Sequence, residues 1–249
     1  MYPILADIGP WTIHSYGFFI ALAFALGMWV WQDEAEQRAL QTSFMPALAF
    51  LLILACLLGG RLTFLLNTFG LLWNHPGQLL AFWEGGLNFW GGAIAAGLVF
   101  VSFLHKHRQP LLSWADSLAP ALAVIIAVSA IGFLLSGSFY GQPADLPWAV
   151  IYGRLDSQAP LLTPLHPTQI YLALAGILLY ILLILFKNRS PRSGQLFSIF
   201  LMAFSVLYFT VSSFRGDVQL ELAGLLWPQW LSVVLFLTGI WVYNILRRS

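Results

Sequence analysis

Four short stretches of this 249-residue chain carry side chains suited to proton or phosphate chemistry. In "PLHPTQIY", His166 precedes Gln169 and Tyr171, and histidine is the side chain that gains and loses a proton near neutral pH. In "LLGGRLTF", Arg61 follows Gly59 and Gly60, and a guanidinium grips a phosphate or a carboxylate with two parallel N–H groups. "SSFRGD" offers Arg215 and Asp217 as an interfacial ion pair or a phosphate contact, and "IHSYGFF" offers His14 and Tyr16. Each has a plainer role beside the chemical one. His14 and Tyr16 suit anchoring at a membrane surface, and His166 suits capping and hydrogen bonding. Arg61 suits a salt bridge, with Glu84 or a lipid phosphate nearer to it than Asp116. The single cysteine, Cys56, lies in an apolar run, and no metal-ligand spacing, phosphate loop or nucleophile elbow occurs. Neither a metal nor a cofactor is expected.

The elements that position these residues follow from composition. With 59% hydrophobic residues, 8% charged, 11 Trp and 20 Phe, the chain lacks the polar surface of a water-soluble protein. It reads as an all-α polytopic membrane protein, and its net charge of +1 gives no sign of a nucleic-acid partner. A membrane-crossing helix takes about 20 mostly apolar residues, and on that scale seven spans are predicted. They lie near 13–32, 45–66, 88–104, 117–137, 168–186, 195–214 and 225–246. Nothing basic precedes the first, so it reads as a true span rather than a signal peptide. No repeat or soluble segment interrupts the series, and residues 1–249 are expected to form one membrane domain.

Seven helices put the termini on opposite sides. Arg38, Lys106, Arg108, Lys187, Arg189, Arg192, Arg247 and Arg248 fall on one side, and Arg154 and Arg215 on the other. That bias predicts a cytoplasmic C-terminus and an outward N-terminus. The outward loops are then 67–87 and 138–167, and "PGQLLAFWEGG" reads as a short interfacial helix.

Taken together, "IGPWTIHSYGFFIALAFALG", "LLGGRLTF", "WEGGLNFWGGAIAAG", "ADSLAPALA", "SGSFYGQ", "PLHPTQIY" and "SSFRGD" resemble, in order and approximate spacing, the prolipoprotein diacylglyceryl transferases. The likeness covers nearly the whole chain. It implies seven helices in a bacterial inner membrane with an outward N-terminus. It also implies transfer of diacylglyceryl from phosphatidylglycerol to the lipobox cysteine thiol of a secreted prolipoprotein, with glycerol phosphate as leaving group. Such a reaction needs cationic donors on the phosphate, a group that favours the thiolate and a sideways opening to lipid.

The same resemblance marks departures. The family's His-Gly-Gly is Trp90-Gly91-Gly92 here. Its fourth-helix signature, Gly-Arg-x-Gly-Asn-x-x-Asn-Gly-Glu, falls on Ser129 to Ser138, so that Ala130, Phe133, Ser136 and Ser138 stand for an arginine, two asparagines and a glutamate. In the sixth helix Tyr208 and Ser212 stand for an arginine and a glutamate. His14, Tyr16, Arg61, His166, Gln169 and Arg215 survive, Arg61 and Arg215 as the lipid-phosphate contacts, and so do the glycines.

Losing one positioned cation or acid–base group typically costs about two to four orders of magnitude. The expectation is therefore a non-catalytic member that binds membrane phospholipid, with phosphatidylglycerol as candidate, or packs as a subunit among other membrane proteins. Small residues at Gly92 and Ala96 offer a surface for such packing. Trp90 is expected to fill the former pocket with its indole N–H bonded to a carbonyl or lipid oxygen. The alternative is an active transferase using Tyr16, Arg61, His166 and Arg215. A transporter on this fold is disfavoured by the lack of acidic residues at mid-membrane.

Overall fold

In bilayer hydrocarbon a backbone must satisfy its own polar groups, and the apolar runs accordingly fold as helices. The computed structural model describes residues 2–8, 11–67, 88–189, 192–218 and 221–248. Among them, seven helices are long and apolar enough to cross a membrane. They are α1 (Ser15–Gln37), α2 (Met45–Asn67), α3 (Phe89–Lys106), α4 (Leu111–Ser136), α5 (Thr168–Lys187), α6 (Gln195–Ser212) and α7 (Trp227–Arg248). Each falls on one of the seven predicted spans. The short helix expected within 67–87, with Glu84, Gly85 and Gly86, lies outside the described residues.

The chain divides into two compact units, Ala39–Trp114 and Met1–Arg38 with Ala115–Ser249, and α4 crosses from the first into the second. The unit Ala39–Trp114 is built on the α2–α3 pair. Lipid tails are as apolar as leucine, so two membrane helices associate through close backbone approach and hydrogen bonds rather than through expulsion of water. Gly59, Gly91 and Gly92 make that approach. A Cβ on Gly91 would lie 1.9 Å from Thr63 Oγ1 and 2.7 Å from the Gly59 carbonyl oxygen, and one on Gly92 would lie 2.7 Å from the Cys56 carbonyl oxygen. The face carrying Gly92, expected to receive a partner subunit, is therefore spent against α2 within the same unit. Only a residue without Cβ lets the two backbones meet there.

Asn88 starts α3 as an N-cap. Its side-chain oxygen accepts from the Trp90 and Gly91 N–H groups at 3.0 and 3.2 Å, and its own N–H donates to the Gly60 carbonyl at 3.0 Å. At the far end of the pair, Phe44 packs against Phe103, His107 and Trp114, with ring centroids 5.5–5.7 Å apart.

In the larger unit, a hairpin of β1 (Ile4–Ile8) and β2 (Trp11–His14) leads into α1. Ala119 and Ala123 of α4, Leu179 and Leu183 of α5, and Leu196 and Phe200 of α6 form a buried cluster. Small residues again set the close approaches. A Cβ on Gly27 of α1 would meet the Ile125 side chain of α4 at 2.4 Å, and one on Gly176 of α5 would lie 2.7 Å from the Ala127 nitrogen of α4.

One end of this unit is held by charge. Asp116, fully buried on α4, accepts from the Gly194 and Phe197 N–H groups at 2.7 Å each and so caps α6. Buried Glu34 of α1 pairs with Lys187 of α5 at 2.6 Å, and the Trp31 indole donates to Ser117 at 3.0 Å. The Glu34–Lys187 pair lies past the predicted limit of the first span at residue 32 and explains why α1 runs on to Gln37.

The opposite end carries the residue 137–167 loop. It holds β3 (Val150–Ile151) and β4 (Pro164–Leu165), while β5 (Glu221–Leu222) and β6 (Leu225–Leu226) form a hairpin before α7. This loop end is where most of the candidate residues gather.

Candidate functional site

The loop end of the larger unit is assembled from the start of α1, the end of α4, the loop itself, the start of α5 and the end of α6. Its chain path depends on backbone geometry. Gly137 sits at φ +77°, and Phe139 at +57° adopts a conformation that side chains rarely take. Phe139 is held there by neighbours. Its carbonyl accepts from Thr168 Oγ1 at 2.5 Å, and the Gly216 N–H donates to the next carbonyl, that of Tyr140, at 3.0 Å. Gly141 bridges to Arg215, and a Cβ on it would lie 2.3 Å from the His166 carbonyl oxygen, which is why a glycine stands there.

Fixed in this way, Phe139 becomes the centre of an aromatic row. Tyr16 lies 5.8 Å from Phe133, Phe133 stacks on Phe139 at 5.8 Å, Phe139 meets Tyr208 at 6.4 Å, and Tyr208 stacks on Phe204 at 5.3 Å. The row joins α1, α4, the loop and α6. Beneath it, Tyr208 and Phe204 border a cavity of about 10 Å³ whose other walls include Ile126, Leu172, Gly176 and Leu179. That is about the space of one water molecule.

Arg215 lies on this row. Its guanidinium carbon is 3.7 Å from the centre of the Phe139 ring, within cation–π range. Nε and Nη2 donate to the two Asp217 oxygens at 2.8 and 2.7 Å, and Nη1 donates to the Tyr208 hydroxyl at 3.1 Å. Of the two sequence readings for Arg215, the ion pair is the one the geometry displays. The cation is neutralised by a bidentate carboxylate and covered by an aromatic face.

Gln169 is buried and structural in its contacts. Its amide donates to the Ser138 carbonyl at 2.8 Å and to the Tyr152 hydroxyl at 3.2 Å. Tyr152 in turn donates to the Leu134 carbonyl at 3.2 Å, which ties the loop to the end of α4. Burial pushes the Tyr152 hydroxyl up to about 12, against a smaller opposing effect of the Gln169 hydrogen bond. Ser136 and Ser138 hydrogen-bond to one another through their hydroxyls at 2.8 Å, and Ala130 and Ser212 are buried.

His166 stands slightly apart. Trp148 Nε1 donates to the Tyr171 hydroxyl at 3.0 Å, and that hydroxyl lies 3.3 Å from His166 Nδ1. The His166 ring also packs on Phe214 with centroids 5.0 Å apart. His14 is exposed as the residue preceding α1, and Tyr16 is 45% exposed.

Two candidates belong to the other unit. Arg61 is 4% exposed on α2 with its guanidinium carbon 5.4 Å from the centre of the Phe64 ring. Trp90, half-buried at the start of α3, makes an edge contact with Phe89 at 5.0 Å.

Sequence reading passed over Phe139 and Tyr152. Nothing local distinguishes them, because Phe139 is defined by its backbone conformation and Tyr152 by a partner 17 positions away. Among the described residues, no three His, Cys, Asp or Glu side chains lie close enough together to hold a metal ion. In chemical terms the loop end of this unit holds a neutralised cation, a bonded hydroxyl network and stacked rings.

The prolipoprotein diacylglyceryl transferase family matches residues 3–245. Proteins named phosphatidylglycerol–prolipoprotein diacylglyceryl transferase are similar over nearly the full length of both chains. That of Bordetella avium strain 197N is 32% identical over 254 residues, which span 99% of this chain and 95% of the relative. That of Legionella pneumophila strain Corby is 30% identical over 250 residues, 97% and 95% of the two chains. That of Verminephrobacter eiseniae strain EF01-2 is 31% identical over 254 residues, 96% and 90%.

Proposed function

Because the chain belongs to the prolipoprotein diacylglyceryl transferase family, we propose that it is a multi-pass protein of a bacterial inner membrane that binds phospholipid, phosphatidylglycerol foremost, without transferring it. The observation that carries this reading is the row Tyr16, Phe133, Phe139, Tyr208 and Phe204 with Arg215 engaged upon it. Diacylglyceryl transfer needs cations free to take up the charge on a departing phosphate and a group to draw the proton from a thiol. In this row, aromatic rings stand at two of the positions marked as replaced, Phe133 and Tyr208, and the nearby cation is paired. By the family resemblance, Ala130, Ser138, Ser212 and Trp90 extend the loss of charged or titratable groups, and Ser136 replaces an asparagine. Arg61 is assigned to the lipid phosphate, Arg215 is first a structural cation, and Gln169 holds the loop.

The second reading is an active phosphatidylglycerol–prolipoprotein diacylglyceryl transferase, and the names of the relatives favour it over the first. All three bear that name and match over 90% or more of their length. Turnover would then rest on Tyr16, Arg61, His166 and Arg215.

The purified chain, given phosphatidylglycerol vesicles and a lipobox peptide, decides between them. Peptide lipidation is read by its mass increase and phospholipid retention by native mass spectrometry. The first reading expects retained lipid and unmodified peptide. Modified peptide establishes the transferase and ends the first reading. An outward N-terminus, a cytoplasmic C-terminus and association with further membrane subunits belong to the same proposal. They are supported by the distribution of basic residues and by the broad exposed apolar faces of the helices.

A further inference from the structure

Helix α7 is the least buried of the seven spans. Along one of its faces Leu237, Ile240, Trp241, Asn244, Ile245 and Arg248 line a groove of about 340 Å³. These positions recur at helical spacing, so the groove runs along the helix axis. At about 1.5 Å per residue the stretch from Leu237 to Arg248 rises roughly 16 Å, close to half of a hydrocarbon core about 30 Å thick. Its chemistry changes along that length. Leu237 and Ile240 are apolar, Trp241 supplies an amphipathic ring one turn further on, and Asn244 and Arg248 are polar.

The polar end is also the basic end. Arg247 adjoins Arg248, and Arg192 donates to the Leu246 carbonyl at 2.9 Å and to that of Arg247. Among the described residues, the side chains of Asn244 and Arg248 have neither a hydrogen-bond nor an ion-pair partner. An apolar partner helix laid in this groove would cover that end of it without supplying a counter-charge, whereas an anionic phospholipid supplies both the charge and an acyl chain.

We propose that the groove seats one anionic phospholipid of the leaflet on the basic side of the membrane. Its phosphate meets Arg248 and Asn244, its glycerol backbone lies beside Trp241, and one acyl chain runs along Leu237 and Ile240. This site stands independently of any lipid handled through Arg61 or near Arg215.

The test titrates the purified full chain with phosphatidylglycerol or with phosphatidylcholine of the same acyl chains, and counts retained lipids by native mass spectrometry. Asn244→Ala/Arg248→Gln alters two exposed side chains and should retain one phosphatidylglycerol fewer than the wild type. Its binding at that site should be about five- to tenfold weaker, as loss of a surface cation predicts. Phosphatidylcholine retention should not differ between the two proteins. Phosphatidylglycerol brominated in its acyl chains should quench a component of fluorescence that Trp241→Phe removes. Equal phosphatidylglycerol retention by wild type and double variant overturns the proposal. So does a loss of phosphatidylcholine matching that of phosphatidylglycerol, which would mark a solvating lipid without headgroup recognition.

Discussion

Replacing Arg215 by methionine distinguishes a structural cation from a catalytic one. The variant keeps most of the apolar stem but removes the bidentate pair with Asp217, the hydrogen bond to Tyr208 and the charge over Phe139. Breaking a fully buried ion pair costs about 3–5 kcal/mol. Here the Asp217 side chain is 22% exposed, so water recovers part of its solvation and lowers that cost. A cation–π contact contributes about 1 kcal/mol more. These effects share one group and do not add in full, so the expected destabilisation is about 3 kcal/mol, or a Tm lower by about 6–12 °C for a chain of this size.

Asp217→Asn retains an acceptor for the guanidinium and should cost less, about 1–2 kcal/mol. The double variant should be more stable than the sum of the single losses predicts, with a coupling of about 1 kcal/mol or more. Thermal unfolding of the detergent-solubilised proteins gives the three shifts, and the lipobox assay runs on the same samples. An Arg215→Met protein that melts with the wild type, together with peptide lipidation that the wild type performs and the variant does not, would refute the reasoning and make Arg215 catalytic.

Gly91→Ala should destabilise the α2–α3 pair by about 2 kcal/mol or more, because its Cβ would fall 1.9 Å from Thr63 Oγ1. Gly97→Ala on the same helix, with nothing within 4 Å, should leave Tm unchanged or slightly raised, and equal losses in both would show that helix contact is not the cause. The Tyr152 hydroxyl sits above its ordinary value of 10.0, so the folded chain keeps a proton that the unfolded chain releases. Its contribution to stability is whole below pH 10 and is lost progressively between pH 10 and about 12. In unfolding measured across that range, Tyr152→Phe should lose stability less steeply than the wild type, and parallel curves would contradict the assigned burial. Trp90→His should not produce lipidation of a lipobox peptide, since Ala130, Phe133 and Tyr208 remain; lipidation gained by this one change would return the chain to the enzymes.

Which segments cross the membrane was decided by the sequence alone. Exclusion of water from hydrocarbon imposes a helix on any apolar run of sufficient length, and the requirement is local. The fifth span, predicted at 168–186, is Thr168–Lys187, and the seventh, predicted at 225–246, is Trp227–Arg248. The same local rule fails where polar groups prolong a helix. Hydropathy stops α1 at residue 32, yet Glu34 is buried because Lys187 reaches it from α5. The surviving candidate residues were legible as types, but their roles were not. Arg215 reads as an interfacial ion pair or a phosphate contact until Asp217 and the Phe139 ring are seen to occupy its guanidinium. Gly92 reads as a surface for a partner until the Cys56 carbonyl is found against it. A charge or a missing Cβ states what a position can do, and its neighbours in space, often far away in the chain, decide whether that capacity is already taken.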